Sequence, residues 1–270
     1  MHHIFYFSGT GNTWRIANML EDALHSLNQK ISLRSIEEDI EFSEIKAGDH
    51  LILGFPVYGS DTPYPMRNFI NSLPIGKENP VSIFACQALA SGDTGFYICT
   101  KLKEKGYIPH STIHFKTPNN IHIPDFRFSK PVSTDKADKA LEKQKPYVMK
   151  FAKEILSSKK TIRGNCSIAH LLGGVQRKYL DSMIEKAGKQ LISLDNRCTQ
   201  CNICTKICPT SNITHSDGKY IFGNNCALCM RCYNLCAANA ICFGEKNSDI
   251  KKYPRYRGPG GFRMFCLKHK

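Results

Sequence analysis

The sequence predicts an α/β protein: a doubly wound, parallel five-stranded sheet followed by a small α+β unit rich in cysteine. Three observations predict it. Strand-like apolar runs at 3–7, 31–36, 50–55, 81–87 and 111–116 are mostly separated by segments of helical periodicity, the pattern of a parallel sheet covered on both faces. The first run passes directly into a glycine-rich loop and then a helical pattern. From residue 194 onward the chain changes character, and two four-cysteine arrays repeat at an offset of 28 residues.

The totals bound what such a chain can be. At 270 residues, 41% hydrophobic and 22% charged, it can build one large core or two smaller ones. No apolar run approaches the roughly 18 residues of a membrane span. The opening "MHHIFYFSGTGNT" lacks the basic start and cleavage site of a secretion signal, so a cytoplasmic location is expected and no membrane partner. Of thirteen cysteines, eight lie in the two arrays, which favours metal or cluster ligation over disulfides. The formal charge of +14 is uneven: residues 1–100 carry 6 Lys/Arg against 11 Asp/Glu, residues 101–170 carry 15 against 6, and residues 171–270 carry 16 against 6. That asymmetry points to an acidic partner or nucleic acid.

The elements follow in order. The strand Ile4–Phe7 enters Ser8-Gly9-Thr10-Gly11-Asn12-Thr13, and Ile16, Leu20, Leu24 and Leu27 then mark the buried face of a helix. A loop of this kind offers N–H groups to a phosphate at a helix N-terminus. The dinucleotide fingerprint fails because Trp14 stands where the third glycine belongs. The triphosphate loop fails because no Lys precedes a Ser or Thr. Three hydroxyls, one amide and backbone donors remain, without a cation, which suits a terminal phosphate monoester. Two further loops leave the sheet on the same rim. "GFPVYGSDTPYPMRNFI" follows the third strand, rigid with proline and carrying Tyr58, and "CQALASGDTGFY" follows the fourth. "PNN" at 118–120, after the fifth strand, reads as a plain turn.

These three loops together resemble flavodoxin. The resemblance implies FMN, with Ser8, Gly9, Thr10, Gly11, Asn12 and Thr13 on its phosphate. Pro56, Val57, Tyr58 and Gly59 would line one side of the flavin ring, and Ala88, Ser91, Gly92, Asp93 and Thr94 the other. Gly59 is the glycine whose peptide would flip with flavin reduction, since either sign of φ is open to it.

Residues 133–157 read as a helical segment interrupted near Pro146. A polar linker follows, and then a helix over 167–193 with Leu171, Leu172, Val175, Leu180 and Ile184 as apolar positions, expected to brace one domain against the other. "CTQCNICTKICP" and "CALCMRCYNLCA" then space four cysteines three, three and four residues apart. Paired zinc knuckles would leave a third cysteine at i+6 unexplained. A loop with cysteines at i, i+3 and i+6 can wrap three corners of a cubane iron–sulfur cluster.

Residues 194–246 resemble a bacterial-type two-cluster ferredoxin, with Pro209 and "SNI" matching and Ala237 standing where that family usually has proline. In such ferredoxins the fourth cysteine of the run ligates the other cluster. That rule assigns Cys198, Cys201, Cys204 and Cys236 to one [4Fe–4S] cluster, and Cys226, Cys229, Cys232 and Cys208 to a second. Ile203, Ile207, Leu228 and Leu235 would supply dry packing, with Asn202 and Arg231 more polar. Cys86, Cys99, Cys166, Cys242 and Cys266 have no partner spacing.

Over nearly the whole chain the order of motifs resembles flavodoxin–ferredoxin fusion proteins. The expected domains are 1–160 for FMN, 161–193 as linker and bracing helix, 194–246 for two clusters, and 247–270 as a tail packed over the junction. The resemblance implies electron transfer between a low-potential one-electron partner and another acceptor, through two clusters and FMN. The expected partner is an acidic redox protein rather than nucleic acid. The alternative is an FMN-dependent reductase of a small molecule, fed by the clusters; Asp61, Asp93 and His114 are its scattered acid–base candidates.

Overall fold

A computed structural model describes residues 1–90, 92–127 and 129–263. The first half is one parallel sheet of β1 (His2–Tyr6), β2 (Ile31–Ser35), β3 (His50–Pro56), β4 (Pro80–Gln87) and β5 (Ile108–Lys116), in the order β2-β1-β3-β4-β5. All five strands fall within a few residues of the apolar runs. Both faces are buried, which is why the runs are continuous rather than alternating. Ile4, Tyr6, Ile52, Phe84 and Phe115 meet α1 (Asn12–Ser26) and α5 (Lys145–Leu156) on one face. Phe5, Phe7, Leu53 and Ile83 meet α2 (Tyr64–Ser72) and α3 (Thr94–Glu104) on the other. Gly54 is required in mid-strand because a Cβ there would lie inside the Phe84 ring. The helical segment after the sheet breaks at Lys143–Gln144 into α4 (Thr134–Glu142) and α5, and Pro146 sits in the first turn of α5, where its missing N–H costs no bond.

The strand order reverses between β1 and β3, and the loops after β1, β3 and β4 emerge side by side at that switch point. The second half of the chain is packed onto this rim.

That half begins with α6 (Ser167–Gly188) and continues as β6 (Leu191–Ser193), which pairs antiparallel with β9 (Ile241–Phe243). Between them lie α7 (Ile203–Lys206), the hairpin β7 (Ile213–Ser216) with β8 (Lys219–Phe222), and α8 (Arg231–Leu235). The β6–β9 pairing ties Leu191–Ser193 to the cysteine-bearing unit. The helix α6 is oriented differently from its apolar pattern. Gly173, Leu180, Ala187 and Gly188 face inward, while Leu171 and Val175 are 71% and 52% exposed. Gly173 sits inward because α6 meets Asp93 there, and a Cβ at that position would collide with the carboxylate. Among the described residues, no helix is long and apolar enough to cross a membrane.

The two arrays share one backbone. Gln200, Asn202 and Ser211 have φ of 54°, 57° and 50°, and the residues 28 further on, Leu228, Met230 and Asn239, have φ of 48°, 66° and 51°. A left-handed conformation is uncommon for any residue but glycine and costs about 1–2 kcal/mol at each. Such strain persists where the surroundings over-determine it, typically around a ligand.

Candidate functional site

The loop after β1 runs from Ser8 to Thr13 into α1. Gly11 takes φ 101° to turn the chain, and its N–H donates to Ser8 Oγ at 3.1 Å. After β3, Val57 N–H donates to the Cys86 carbonyl at 2.9 Å, which holds the second loop against β4. Tyr58 and Asp61 then pair across Gly59 and Ser60, both at positive φ, the signature of a tight primed turn. The third loop brings Ala88, Gly92, Asp93 and Thr94 to the same rim; Ser91 lies outside the described residues. The sequence-predicted flavin residues are therefore adjacent, at the carboxyl ends of their strands.

They are also covered. Ser8, Thr10 and Thr13 are only 1–2% exposed. The cover is the C-terminal half. Arg231, fully buried, is its bolt: Nη2 donates to the Ser8 carbonyl at 2.7 Å, Nε to the Gly9 carbonyl at 3.3 Å, and Nη1 to the Ile207 carbonyl at 3.2 Å. The two remaining donors make a bidentate pair with Glu37. All five guanidinium N–H groups are thus used, which is what allows the charge to be buried. Burial works against the charge, but the Glu37 carboxylate outweighs it and holds the Arg231 pKa above its ordinary value. The guanidinium lies 5.1 Å from the centre of the Phe7 ring.

The rest of the loop is enclosed in the same way. A Cβ on Gly9 would strike the Cys229 carbonyl oxygen, and one on Gly11 would lie 2.6 Å from the Phe262 ring and 2.8 Å from Pro259. Thr10 Oγ1 accepts from Asn120, whose carbonyl accepts from Asn234. Asn12 donates to the Pro118 carbonyl at 2.8 Å and accepts from the Tyr256 hydroxyl at 2.5 Å. The Tyr58 hydroxyl donates to the Leu228 carbonyl at 2.9 Å. On the ring side, Leu180 packs on Gly59, and Arg177 donates to both Asp93 oxygens and to the Ser60 carbonyl. Burial pushes the Asp93 carboxyl up, but Arg177 and His170 more than reverse it and leave it below its ordinary value. In this arrangement the loop residues do not fit FMN, because Cys229, Phe262 and Pro259 fill the space beside Gly9 and Gly11 and Leu180 fills that beside Gly59.

The "PNN" segment, expected to be a plain turn, joins the site through Asn120. Arg231 was legible only as a polar residue near sulfur; the signal that could have found it is a charged residue where its repeat mate is Ile203. Of the acid–base candidates, Asp61 and Asp93 lie on the rim, whereas His114 lies within β5.

Four of the array cysteines have thiols raised by burial, and their neighbouring sulfurs come from both arrays. Burial pushes Cys204 up to about 11, with Cys236, Cys198 and Cys201 adding to it. Burial likewise raises Cys226, with Cys208 adding, and raises Cys229 to about 12, where Arg231 opposes and Cys226 and Cys208 add. Cys232 is raised by burial, then by Cys229, Cys226, Cys208 and Cys204. Cys236 of the second array thus stands near the first-array sulfurs, and Cys208 of the first near the second-array sulfurs, while Cys204 also acts on Cys232. Cys208, Cys226, Cys229 and Cys232 line one cavity together with Leu228 and Phe243. Backbone N–H groups point at the sulfurs: Asn212 to Cys208 at 3.2 Å, Ala240 to Cys236 at 3.3 Å, and Leu228 to Cys226 at 3.4 Å. The first two of these bonds are again 28 residues apart. Among the described residues, no three His, Cys, Asp or Glu side chains close around a single-ion site.

Of the other cysteines, Cys86, Cys99 and Cys242 are buried and Cys166 is exposed; Cys266 lies outside the described residues.

Comparison with known proteins bears on the first half. Residues 3–117 match the family model described as a flavodoxin domain. Among solved structures, the two-electron reduced flavodoxin of Megasphaera elsdenii is 24% identical, with 42% of this chain and 85% of that chain covered and a TM-score of 0.38. A flavodoxin from the domain Archaea is 18% identical, covering 58% of this chain and 99% of that one, at a TM-score of 0.41. Rubredoxin oxygen:oxidoreductase from Desulfovibrio gigas is 16% identical, covering 58% and 37%, at 0.38. No curated protein matches. Residues 3–117 thus match a flavodoxin domain over the five-stranded parallel sheet.

Proposed function

We propose that this protein is an electron carrier whose one-electron centres are two [4Fe–4S] clusters, held by Cys198, Cys201, Cys204 and Cys236 and by Cys226, Cys229, Cys232 and Cys208. The observation that carries the reading is the cavity in which Cys208 of the first array joins Cys226, Cys229 and Cys232 of the second. The repeated left-handed turns and the N–H groups aimed at sulfur support it. The lack of a single-ion site among the described residues is compatible with it, because cluster ligands surround a cube and stand farther apart than the ligands of one ion. When bound, each cluster supplies a one-electron carrier, tuned by hydrogen bonds to sulfur and by exposure.

The chain's residues give the two quartets different addresses. Cys201 is exposed and Tyr220 stands beside the same quartet, with its hydroxyl on Asn202 at 2.9 Å. Cys229 is 7% exposed and packs with the flavodoxin core. A cluster held by the outer quartet would be the one within reach of a protein partner. Lys206 and Lys219 are exposed on the flanking α7 and β8 and suit an acidic redox protein as partner. The tail's Tyr253 and Tyr256 are 3% and 0% exposed, which supports a packing role for them over stacking on nucleic acid.

The flavodoxin-domain match implies FMN at the loops 8–13, 56–59 and 88–94, but in this arrangement those loops are covered, so the reductase alternative has no open flavin face to act from. An anaerobic titration tests the carrier reading. The reconstituted chain should take up two electrons, bleaching cluster absorbance, and deliver them to an acidic protein acceptor at a rate that falls with salt. A reconstituted chain that takes up no electrons would end it.

A further inference from the structure

The flavodoxin loop is more than shielded; its groups are engaged one by one by the chain's own second half. Ser8 and Gly9 give their carbonyls to Arg231, Asn12 its amide oxygen to Tyr256, and Gly11 its open side to Phe262 and Pro259, while Thr10 meets the second half through Asn120, whose carbonyl accepts from Asn234. Gly258, at φ +81°, lies so close to the Thr10 carbonyl that a Cβ would be 2.6 Å from it, so the tail crosses the loop at backbone contact distance. Gly260 N–H is pinned by Asp138 at 3.0 Å, and the Trp14 and Phe262 rings meet at 5.5 Å. The N-terminus of α1, where a phosphate would sit, has no acidic residue in its first turn and no side-chain cap; the tail stands over it instead.

We infer that FMN and this packing exclude one another: Arg231, on the loop's carbonyls, bolts down the second half, whose 256–262 segment stands over the loop, and the flavin can enter only when this cover lifts. Lifting it is unfavourable, because it breaks four of Arg231's five hydrogen bonds, two to the Ser8 and Gly9 carbonyls and two to Glu37. The closed chain is therefore flavin-free, and its flavodoxin domain serves as the platform on which the inner cysteine quartet is seated. The inference stands apart from the cluster assignment, since it uses only contacts at the loop.

The test is FMN titration of the full-length chain, reconstituted with iron and sulfide and followed by quenching of flavin fluorescence. Amide exchange of residues 8–13 and 256–262 is read on the same samples. Two variants relieve the cover from opposite sides. Glu37→Ala with Arg231→Ala removes the buried pair together, so neither charge is left alone, and Pro259→Ala with Phe262→Ala clears the tail. The wild type should leave micromolar FMN unquenched. At least one folded variant should bind FMN at least tenfold tighter, and wherever FMN binds, exchange at 256–262 should rise. One-to-one binding by the wild type with 256–262 as protected as without FMN would overturn the inference. So would two folded variants that bind FMN no better than the wild type, because the loop would then refuse flavin for a reason other than its cover. Iron content of the same samples separates the two readings: a chain without iron that still excludes FMN fails the cluster assignment alone.

Discussion

The two cysteine arrays have the same backbone and opposite surroundings. Three pairs of left-handed residues and two N–H···S bonds recur at the 28-residue offset. Yet Ile203, at the start of α7, is 46% exposed, while its repeat mate Arg231, at the start of α8, is wholly buried. Hydrophobicity alone predicts the reverse. The difference teaches that the fold of an array is set by local turn geometry and cysteine spacing, whereas its address is set by what a neighbouring surface offers. The flavodoxin rim offers backbone carbonyls and the Glu37 carboxylate, which can satisfy a guanidinium and cannot satisfy an isoleucine.

Three experiments can break this comparison or sharpen it. The largest effect comes from the crossing. Changing Cys208 to Ala, in the first array, should abolish the spectroscopic signal of the inner cluster held by the second array, and Cys236→Ala should abolish that of the outer one, each with about half the iron lost. Electron paramagnetic resonance on the reduced variants reads this directly, and loss of the cluster belonging to the mutated cysteine's own array would show that the quartets are not crossed. Next comes the inversion at 203 and 231. Arg231→Ala strands the Glu37 carboxylate, which is 9% exposed on its side chain, and should cost about 3–5 kcal/mol. Ile203→Ala should stay within about 0.5 kcal/mol, as for other exposed positions. Equal losses in denaturant titrations of the two variants would remove the distinction between the arrays.

The smallest effect separates the platform from the arrays by pH. Burial, with His2 and His110 adding, lowers His50 to about 3, and burial with Arg163 adding lowers His114 to about 4. Both lie in the sheet. A folded-state pKa below the unfolded value means that only the unfolded chain takes up the proton between about pH 6.5 and 4. Stability is therefore complete above about 6.5 and is lost as pH falls through that window. At pH 5 His50 alone should account for a loss of about 2 kcal/mol. Thermal unfolding at pH 7 and pH 5 should show a smaller acid loss in His50→Gln than in the wild type; equally steep losses would mean that His50 is not buried in its neutral form.

What was legible in the sequence was local. The five strands follow from apolar runs whose continuity reflects burial on both faces, and the array repeat follows from spacing. The three rim loops could be placed because a parallel sheet sends them to one edge. What was not legible depended on contacts across the chain. Arg231 meets Ser8 across 223 positions and Tyr256 meets Asn12 across 244, and no periodicity encodes such pairs. The tail's mixture of aromatic and basic residues fits a junction cover and a nucleic-acid surface equally well until Tyr256 is seen to be buried. The apolar pattern of α6 suggested a bracing face through Leu171, Leu172, Val175, Leu180 and Ile184; Leu180 and Ile184 do pack inward, but the other three are exposed, and the helix docks further through Gly173 and ion pairs from Arg177 to Asp93 and from Asp181 to Arg67. Small and charged residues make that contact, and a hydrophobic stripe cannot announce it.

The claim that bears most weight is that eight sulfurs hold two cubes. Anaerobic purification followed by iron and acid-labile sulfide analysis tests it most directly. The account predicts about eight irons and eight sulfides per chain, with no zinc. Four irons, or zinc in place of iron, would contradict it.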